Sequence, residues 1–298
     1  FFAEGSYVMH KQLVGTALII SLLAPALMAE EIETRSRIIA TGGATTIEGV
    51  AGGGIVPMAV ISGYGAQEEW GGTAFASYVN TPDYELKVVG ASWSCHNRVE
   101  FSIAEQQLIH QSLTDALHLP DNDIKQQIFG AKVRLVGDLI YTDIPQISAG
   151  LEYKRNLDFF VPKAVGAKKD SGTDVYVSAT KLILAGLGER NWLLNATARY
   201  TNANQTGLVG FGGDANANRE LVGEASAGVF FNTHWALGAE YRQKPNNLSA
   251  VKEDDWKTLF LAWFPNKHFS LVAAYVDLGE VATFKDQTGW YLSAQGSF

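Results

Sequence analysis

The chain has 298 residues, of which 47% are hydrophobic and 18% are charged, and its formal net charge is −8 at pH 7. The acidic balance argues against nucleic acid as a partner, and the single cysteine, Cys95, excludes a disulfide within the chain and a cysteine-based zinc site. The composition is too polar for a bundle of membrane helices but compatible with a membrane β-barrel, in which half of each strand faces a polar interior.

The first 29 residues have the pattern of a short upstream stretch followed by a signal peptide. Residues 1–8 precede Met9 and are kept apart from the fold. An apolar run then extends from Leu13 to Leu23, the length of a signal-peptide core and too short for a transmembrane helix. We expect cleavage after Ala29, with 24–26 as a second site; the alternative is a buried N-terminal helix. Residues 30–298 then form one domain.

Period-two alternation across the mature chain predicts short antiparallel strands. The clearest case is the stretch 145–154, where Ile147, Ala149, Leu151 and Tyr153 alternate with polar residues. About fourteen strands are predicted, the first two over 37–49 and 55–64. The count is twelve if the glycine-rich N-terminal region folds inward.

The stretch 112–128 interrupts this alternation. Residues 112–117 and 122–127 are predicted as short helical pieces on either side of Pro120. We expect this helical insertion in an extracellular loop. Together with the longer loops 155–173 and 202–219, it is a candidate to constrict the barrel.

The lengths of the connections give an independent test of the barrel. Short turns alternate with connections that become long from the middle of the chain onward, which is typical of outer-membrane barrels and not of soluble β-sandwiches. The short turns are predicted around Gln67, His96, Asp143, Glu189, Thr233 and Asn266.

The last strand, residues 289–298, has an apolar face with Trp290 and Leu292 and a polar face with Tyr291 and Ser293. It ends on Phe298, which resembles the C-terminal signal of bacterial outer-membrane barrels. The expected partners are therefore outer-membrane lipid and the barrel-assembly machinery, reached through this strand. We expect the strand to close the barrel against the strand around 38–47.

Charged residues on the polar faces of the strands are predicted to line the lumen, since each would cost about 2–4 kcal/mol at mid-membrane on the lipid face. The candidate lumen-lining residues are Arg98, Glu100, Lys132, Arg134, Asp138, Glu152, Lys154, Arg199, Glu224, Glu240 and Arg242. Two interpretations follow. These groups border a water-filled channel, or they pair across a narrow lumen and fill it.

No pattern in the chain predicts a catalytic, metal or cofactor site. The nearest approach to a nucleophile with a base is His110-Gln111-Ser112, for which a plain surface loop is the simpler interpretation. The glycine-rich stretch 210–214 lacks the strand, helix and lysine of a phosphate loop.

Several stretches resemble one known family. They include 40–54, 129–134, 210–214, 240–248 and 262–268. The chain is similar over nearly all of its mature length to the proteobacterial domain-of-unknown-function family numbered 3034, which consists of presumed outer-membrane β-barrel proteins. The resemblance implies an architecture and a location, and it carries no activity or catalytic residues.

The sequence therefore predicts a single transmembrane antiparallel β-barrel in the bacterial outer membrane. Its expected function is a narrow porin-like channel for small polar solutes, without cofactor or enzymatic activity. The alternatives are a non-conducting structural or assembly-partner barrel with a plugged lumen and, third, an outer-membrane hydrolase.

Overall fold

A closed antiparallel barrel of twelve strands surrounds the N-terminal part of the described chain. The computed structural model describes residues 37–117, 121–281 and 283–298, so the predicted signal peptide lies outside the described residues. Two short strands, β1 (Ala44–Thr45) and β2 (Ala51–Gly52), pair only with each other. The wall consists of β3 (Trp70–Asn80), β4 (Glu85–Cys95), β5 (Val99–Ile109), β6 (Asp123–Val136), β7 (Gln146–Asn156), β8 (Ser171–Ile183), β9 (Asn191–Thr201), β10 (Glu220–Phe230), β11 (Trp235–Arg242), β12 (Trp256–Trp263), β13 (Phe269–Asp277) and β14 (Thr288–Ser297). The predicted fold class is confirmed, and the number of wall strands is twelve, the lower of the two predicted numbers.

The barrel closes where β14 pairs with β3, with Leu292 opposite Tyr78. The prediction that the last strand pairs with residues 38–47 was wrong. A wall strand needs one face for lipid and one for the lumen. Every residue from 44 to 65 is buried instead, so this stretch has no face suited to lipid and lies inside the barrel.

The outer surface of the wall is apolar and carries aromatic rings at both ends. Leu292 in the middle of β14 is 55% exposed. Trp70 stacks on Trp93 at one end of the barrel, with ring centroids 4.3 Å apart. Tyr275 meets Trp290 edge to face at the other end, at 5.6 Å. Such aromatic girdles flank the hydrocarbon layer in membrane barrels, so this surface is suited to lipid.

Five of the six connections at one end of the barrel have ten or more residues, the exception being the turn 81–84, and those at the other end are shorter. The long ones cover 110–122, 157–170, 202–219, 243–255 and 278–287. The helices α1 (Gln111–Leu117) and α2 (Phe160–Ala164) lie in the first two of them. None of the described helices is long and apolar enough to cross a membrane.

The helix predicted over 122–127 was wrong, because β6 already begins at Asp123. Ile124, Gln126 and Ile128 are buried in alternation, and this end of β6 pairs with β5. In the sequence the strand pattern is irregular here, because the polar Gln126 lies on the same face as Ile124 and Ile128. Pairing with a neighbouring strand overrides such weak local preferences.

Candidate functional site

Residues 41–65, here called the inner segment, occupy the interior of the barrel. Their backbone forms few regular hydrogen bonds with itself beyond the β1–β2 pair. Buried peptide groups need partners, and side chains of the wall strands supply them. Four kinds of contact hold the segment: two carboxylates, a lysine, a set of neutral polar groups and an ion-pair network.

Glu240 on β11 binds the turn at 53–56 through the peptide N–H groups. Its carboxylate accepts hydrogen bonds from the backbone of Gly54 (2.9 Å), Ile55 (3.1 Å) and Val56 (3.3 Å). The turn approaches so closely that a Cβ atom on Gly53 would lie 1.9 Å from Glu240 Oε1. A methyl group here would displace the Glu240 carboxylate, so glycine preserves this contact.

Glu100 and Lys132 bind the opposite side of the inner segment. The Glu100 carboxylate accepts from the backbone N–H of Ala51 (3.0 Å) and Ser62 (2.7 Å). The Lys132 ammonium donates to the carbonyl oxygens of Ala51 (2.8 Å) and Val60 (2.8 Å) and lies 3.3 Å from Glu100. Both side chains are almost completely buried. The two charges therefore neutralise each other while satisfying backbone groups.

Neutral polar side chains of β7 to β9 bind two further carbonyl groups of the inner segment. The carbonyl oxygen of Pro57 accepts hydrogen bonds from Thr197 (2.8 Å) and Asn195 (3.2 Å). That of Ala59 accepts from Gln146 and Ser148, both at 2.6 Å. These hydrogen bonds go to residues two positions apart in the inner segment, and they hold this part of it against the wall.

Glu48, at the turn between β1 and β2, joins the inner segment to the wall through ion pairs. Its carboxylate accepts two hydrogen bonds from Arg242, at 2.6 and 2.8 Å. It also forms an ion pair with Lys154 and lies 3.3 Å from Arg199. All four side chains are buried, so the carboxylate has exchanged water for three cations.

Arg199 on β9 is the centre of this network. Its guanidinium donates to Glu152 (2.7 Å) and to Glu224, and it lies 3.4 Å from Asp174. The ring of Tyr176 covers its face at 5.2 Å. Four carboxylates thus share three cations in a region without solvent exposure, an arrangement that is sensitive to the loss of any one member.

The other side of the interior is apolar at its long-loop half. There the inward-facing side chains of β3, β4, β5 and β13 include Val79, Leu86, Leu108 and Val276, all buried. They pack against Ile47 and Ile55 of the inner segment in one core cluster. The prediction that polar residues line the lumen does not cover this apolar sector, because the inward and the outward faces of these strand ends both carry apolar residues.

The loop 202–219 covers the long-loop end of the barrel, as one of the predicted constrictions. Its residues 203–213 are all buried. The Lys244 ammonium ties it to the next long loop: it donates to Gln205 Oε1 (2.8 Å) and pairs with Glu253 (3.0 Å). Burial lowers the pKa of Lys244 and raises that of Glu253, while their mutual attraction opposes both shifts.

Two small apolar voids of about 40 Å³ each lie beside the inner segment. One is near the long loops, between Ile55 and the wall residue Leu108. The other is near the short turns, between the turn at 52–54 and the rings of Phe230 and Phe260. Both of these voids beside the inner segment are therefore apolar.

The structure brings most of the predicted charged residues together. Eight are buried inside the barrel and contact the inner segment or one another: Glu100, Lys132, Glu152, Lys154, Arg199, Glu224, Glu240 and Arg242. The other three lie at the short-turn end, where Arg134 pairs with Asp138 at 2.9 Å and Arg98 is exposed. The rim position of these three follows from their places beside or within turns.

Two members of the network were missed in the sequence analysis, Glu48 and Asp174. Asp174 has the parity of the inward-facing Tyr176 and Ser178 on β8, so the alternation contained a signal for it. Glu48 has no such signal, because its segment was assigned to the wall.

The carboxylates of Glu48, Glu152 and Asp174 lie within 4.8 Å of one another, as in a metal site. Lys154 contacts all three of them. The protein's own ammonium group therefore takes the place that a metal ion would fill.

His110 is buried and does not pair with Ser112. Its Nδ1 lies 3.0 Å from the Thr114 hydroxyl, and among the described residues Ser112 forms no hydrogen bond with it. A nucleophile with a base is thus not assembled at this position.

Substitution of Gly53 by alanine is expected to loosen the turn that Glu240 holds. The new Cβ displaces the carboxylate, so the N–H groups of Gly54, Ile55 and Val56 lose their acceptor. Hydrogen–deuterium exchange of the peptide covering 53–56 should become faster. Gly223→Ala is the matched control, because its Cβ meets nothing nearer than 3.9 Å; equal exchange in both variants would contradict the assignment.

The family model for DUF3034, described as a protein of unknown function, matches residues 41–295, and the chain belongs to this family. No characterised relative matches the sequence. The fold is similar to the KdgM porin, with 9% identity, TM-score 0.47, and coverage of 76% of this chain and 99% of that one.

Two further solved structures are similar in the same way. The outer membrane protein Omp33 of Acinetobacter baumannii has 10% identity and TM-score 0.43, with 77% of this chain and 97% of that one covered. Outer membrane phospholipase A from Escherichia coli has 10% identity and TM-score 0.38, with 76% and 91% covered. At these values the likeness gives no information on what this chain binds.

Proposed function

We propose that this DUF3034 protein is an outer-membrane β-barrel that its own inner segment closes, and that it passes solutes only when that segment moves. The barrel with its apolar, aromatic-flanked exterior supports the location. The single observation that carries the closure is the continuous burial of residues 44–65 inside the ring of strands.

The contacts of the inner segment support a movable closure. The segment is attached to the wall by hydrogen bonds and ion pairs, and its few internal backbone bonds leave it dependent on them. Glu100, Lys132 and Glu240 are all used to bind its backbone. With the segment in place, these charges border no open path.

The narrow porin-like channel for small polar solutes is the second candidate, and the charged wall favours it. If the inner segment left the barrel, Lys154, Arg199 and Arg242 would line one side of a water-filled lumen. A permanently plugged structural barrel is the third candidate. The porin-like channel requires that the inner segment leaves the lumen, whereas in the plugged barrel the segment stays there.

We also propose that the barrel-assembly machinery recognises β14. The terminal Phe298 is half exposed. Its carbonyl oxygen accepts hydrogen bonds from the backbone of Tyr64 (3.0 Å) and Gly72 (3.1 Å). The end of the last strand is thus also a contact of the inner segment, so closure of the wall and seating of the segment are coupled.

Planar-bilayer recording of the refolded protein tests the closure. We expect little or no steady conductance, because the inner segment fills the lumen, with at most brief openings. Heat-modifiable gel mobility and co-flotation with liposomes establish that the barrel is folded and inserted. A steady, ohmic conductance of the unmodified protein would overturn the proposed closure.

A further inference from the structure

The inner segment brings a single charged side chain into the lumen. Glu48 is the only charged residue in the stretch 41–65. The charged wall residues Glu100, Lys132 and Glu240 bind the backbone of the segment instead. The wall therefore binds an ionised group of the segment at one position, the Glu48 carboxylate.

The contacts of this carboxylate have the form of a binding site for a planar anion. Arg242 donates one guanidinium nitrogen to each oxygen, Nη1 to Oε2 (2.6 Å) and Nη2 to Oε1 (2.8 Å). Such a bidentate pair matches the spacing and the plane of a carboxylate. The Lys154 ammonium contacts Oε1, and Arg199 Nη2 lies 3.3 Å from Oε2. Each oxygen of Glu48 thus faces two cationic groups.

All three cations belong to the wall, so they stay in the lumen if the inner segment leaves it. Lys154 lies on β7, Arg199 on β9 and Arg242 on β11. Each is within two residues of the end of its strand that leads into a long loop. The site is therefore just inside the long-loop end of the barrel, beneath the loop 202–219.

The wall part of the network is neutral by itself. Its three cations are balanced by Glu152, Asp174 and Glu224. Of these, Glu224 contacts Arg242 at 3.6 Å, a longer distance than either bond from Arg242 to Glu48. The guanidinium of Arg242 is thus directed at the carboxylate that enters the lumen. A guest there is held by this geometry and not by surplus positive charge, so its binding is expected to be weak.

We propose that Lys154, Arg199 and Arg242 form a recognition site for the carboxylate group of an organic acid, and that Glu48 occupies this site in the closed barrel. The opened lumen then takes carboxylate-bearing solutes, which compete with Glu48 for the same nitrogen atoms. This assignment of a substrate class rests on the proposed function, since the segment must leave the site before a solute enters. The recognition chemistry itself is measurable with the segment in place.

The test supplies the part of Glu48 that a substitution removes. Glu48→Ala in the full chain removes a methylene-carboxylate group, and acetate has the same heavy atoms. The variant should unfold at lower urea concentration, because Arg242 loses both of its short contacts with a carboxylate. Sodium acetate present during refolding is expected to restore stability. At ten times its dissociation constant it should raise the ratio of folded to unfolded protein about tenfold, whereas acetamide and sodium chloride should not.

Three further variants separate binding at the site from a general effect of salt. Glu48→Gln keeps the space filled, so acetate should not stabilise it. Glu48→Ala/Arg242→Gln lacks the bidentate donor and should lose the recovery. Glu68 is an exposed glutamate in the turn before β3, and Glu68→Ala should respond to acetate no more than the unmodified protein does.

Two results would overturn the site. One is a recovery of Glu48→Ala that is no larger with acetate than with acetamide, and the other is full recovery in Glu48→Ala/Arg242→Gln. If Glu48→Ala does not refold in buffer alone, the yield of heat-modifiable barrel in acetate is compared with the yield in acetamide. A higher yield in acetate supports the site, and equal yields contradict it.

Planar-bilayer recording of the unmodified chain separates the site from the proposed movement. Openings are expected to be more frequent in sodium acetate than in sodium chloride, because acetate competes with Glu48. Recovery of Glu48→Ala by acetate, without openings of the unmodified protein, would support the site and contradict the movable closure. Openings that are equally frequent in both salts, together with no recovery, would contradict the site and leave the closure standing.

Discussion

Removal of the inner segment is expected to convert a closed barrel into an ohmic pore. A mature chain that begins at Ala66 keeps all twelve wall strands and the loop 202–219, and it loses the segment that fills the lumen. A wall of twelve strands is wide enough for a water-filled interior once nothing folds into it. Single-channel conductance in planar bilayers should rise at least about tenfold over the full chain, since ion passage requires a continuous water path.

A reversible form of the same experiment keeps the whole chain. The side chains of Thr45 and Gln295 meet at 2.9 Å. Cysteines at both positions, with Cys95→Ser, are joined by a reducible bifunctional thiol reagent that replaces the reach of the Gln295 side chain, and the inner segment is thereby linked to β14. Any openings of the unlinked protein should disappear in the linked form and return on reduction. If the chain that begins at Ala66 folds and stays closed, the inner segment is not what closes the barrel.

Loss of Arg199 is expected to be the most destabilising single substitution in the interior. Arg199→Met leaves Glu48, Glu152, Asp174 and Glu224 with only two cations among them. Breaking a buried ion-pair network in this way costs about 3–5 kcal/mol, because uncompensated charge stays buried. Urea unfolding of the refolded barrel, followed by tryptophan fluorescence, measures the change in the free energy of unfolding.

The matched control is Arg155→Met on β7. Arg155 is exposed, so the same substitution there should change the free energy of unfolding by less than about 1 kcal/mol. The double variant Arg199→Met/Glu224→Gln removes one of the unpaired carboxylates and should recover part of the loss, as expected for residues in one network. A loss in Arg199→Met no larger than in Arg155→Met would contradict the central role.

The wall of the barrel was predictable because the polarity of each wall residue depends on its position within its own strand. Lipid outside and a filled interior require opposite faces to differ in polarity at every second residue. The outward Trp290 and Leu292 and the inward Tyr291 and Ser293 therefore follow from β14 alone, and the structure places them so. The turns around His96, Thr233 and Asn266 follow from the breaks between such strands.

The interior was less predictable because its residues are selected by partners distant in the chain. Glu48 and Arg242 are 194 positions apart and share two hydrogen bonds. Parity indicated that Arg242 and Glu240 face inward, but parity gives no information on what they meet there. Alternation likewise gives no information on the partners of Leu108 and Val276. Their apolar side chains pack in one cluster with Ile47 and Ile55 of the inner segment.

The sequence by itself determined a membrane barrel with its charges directed inward, because alternation along each strand is a property of neighbouring residues. Only the tertiary structure decided that residues 41–65 belong to the interior and not to the wall. Beyond the β1–β2 pair and a few turn bonds, their backbone groups have no partners in the wall strands' backbone and are satisfied by side chains, which Glu100, Lys132 and Glu240 provide from three different strands. That convergence exists only once the barrel has closed around the segment.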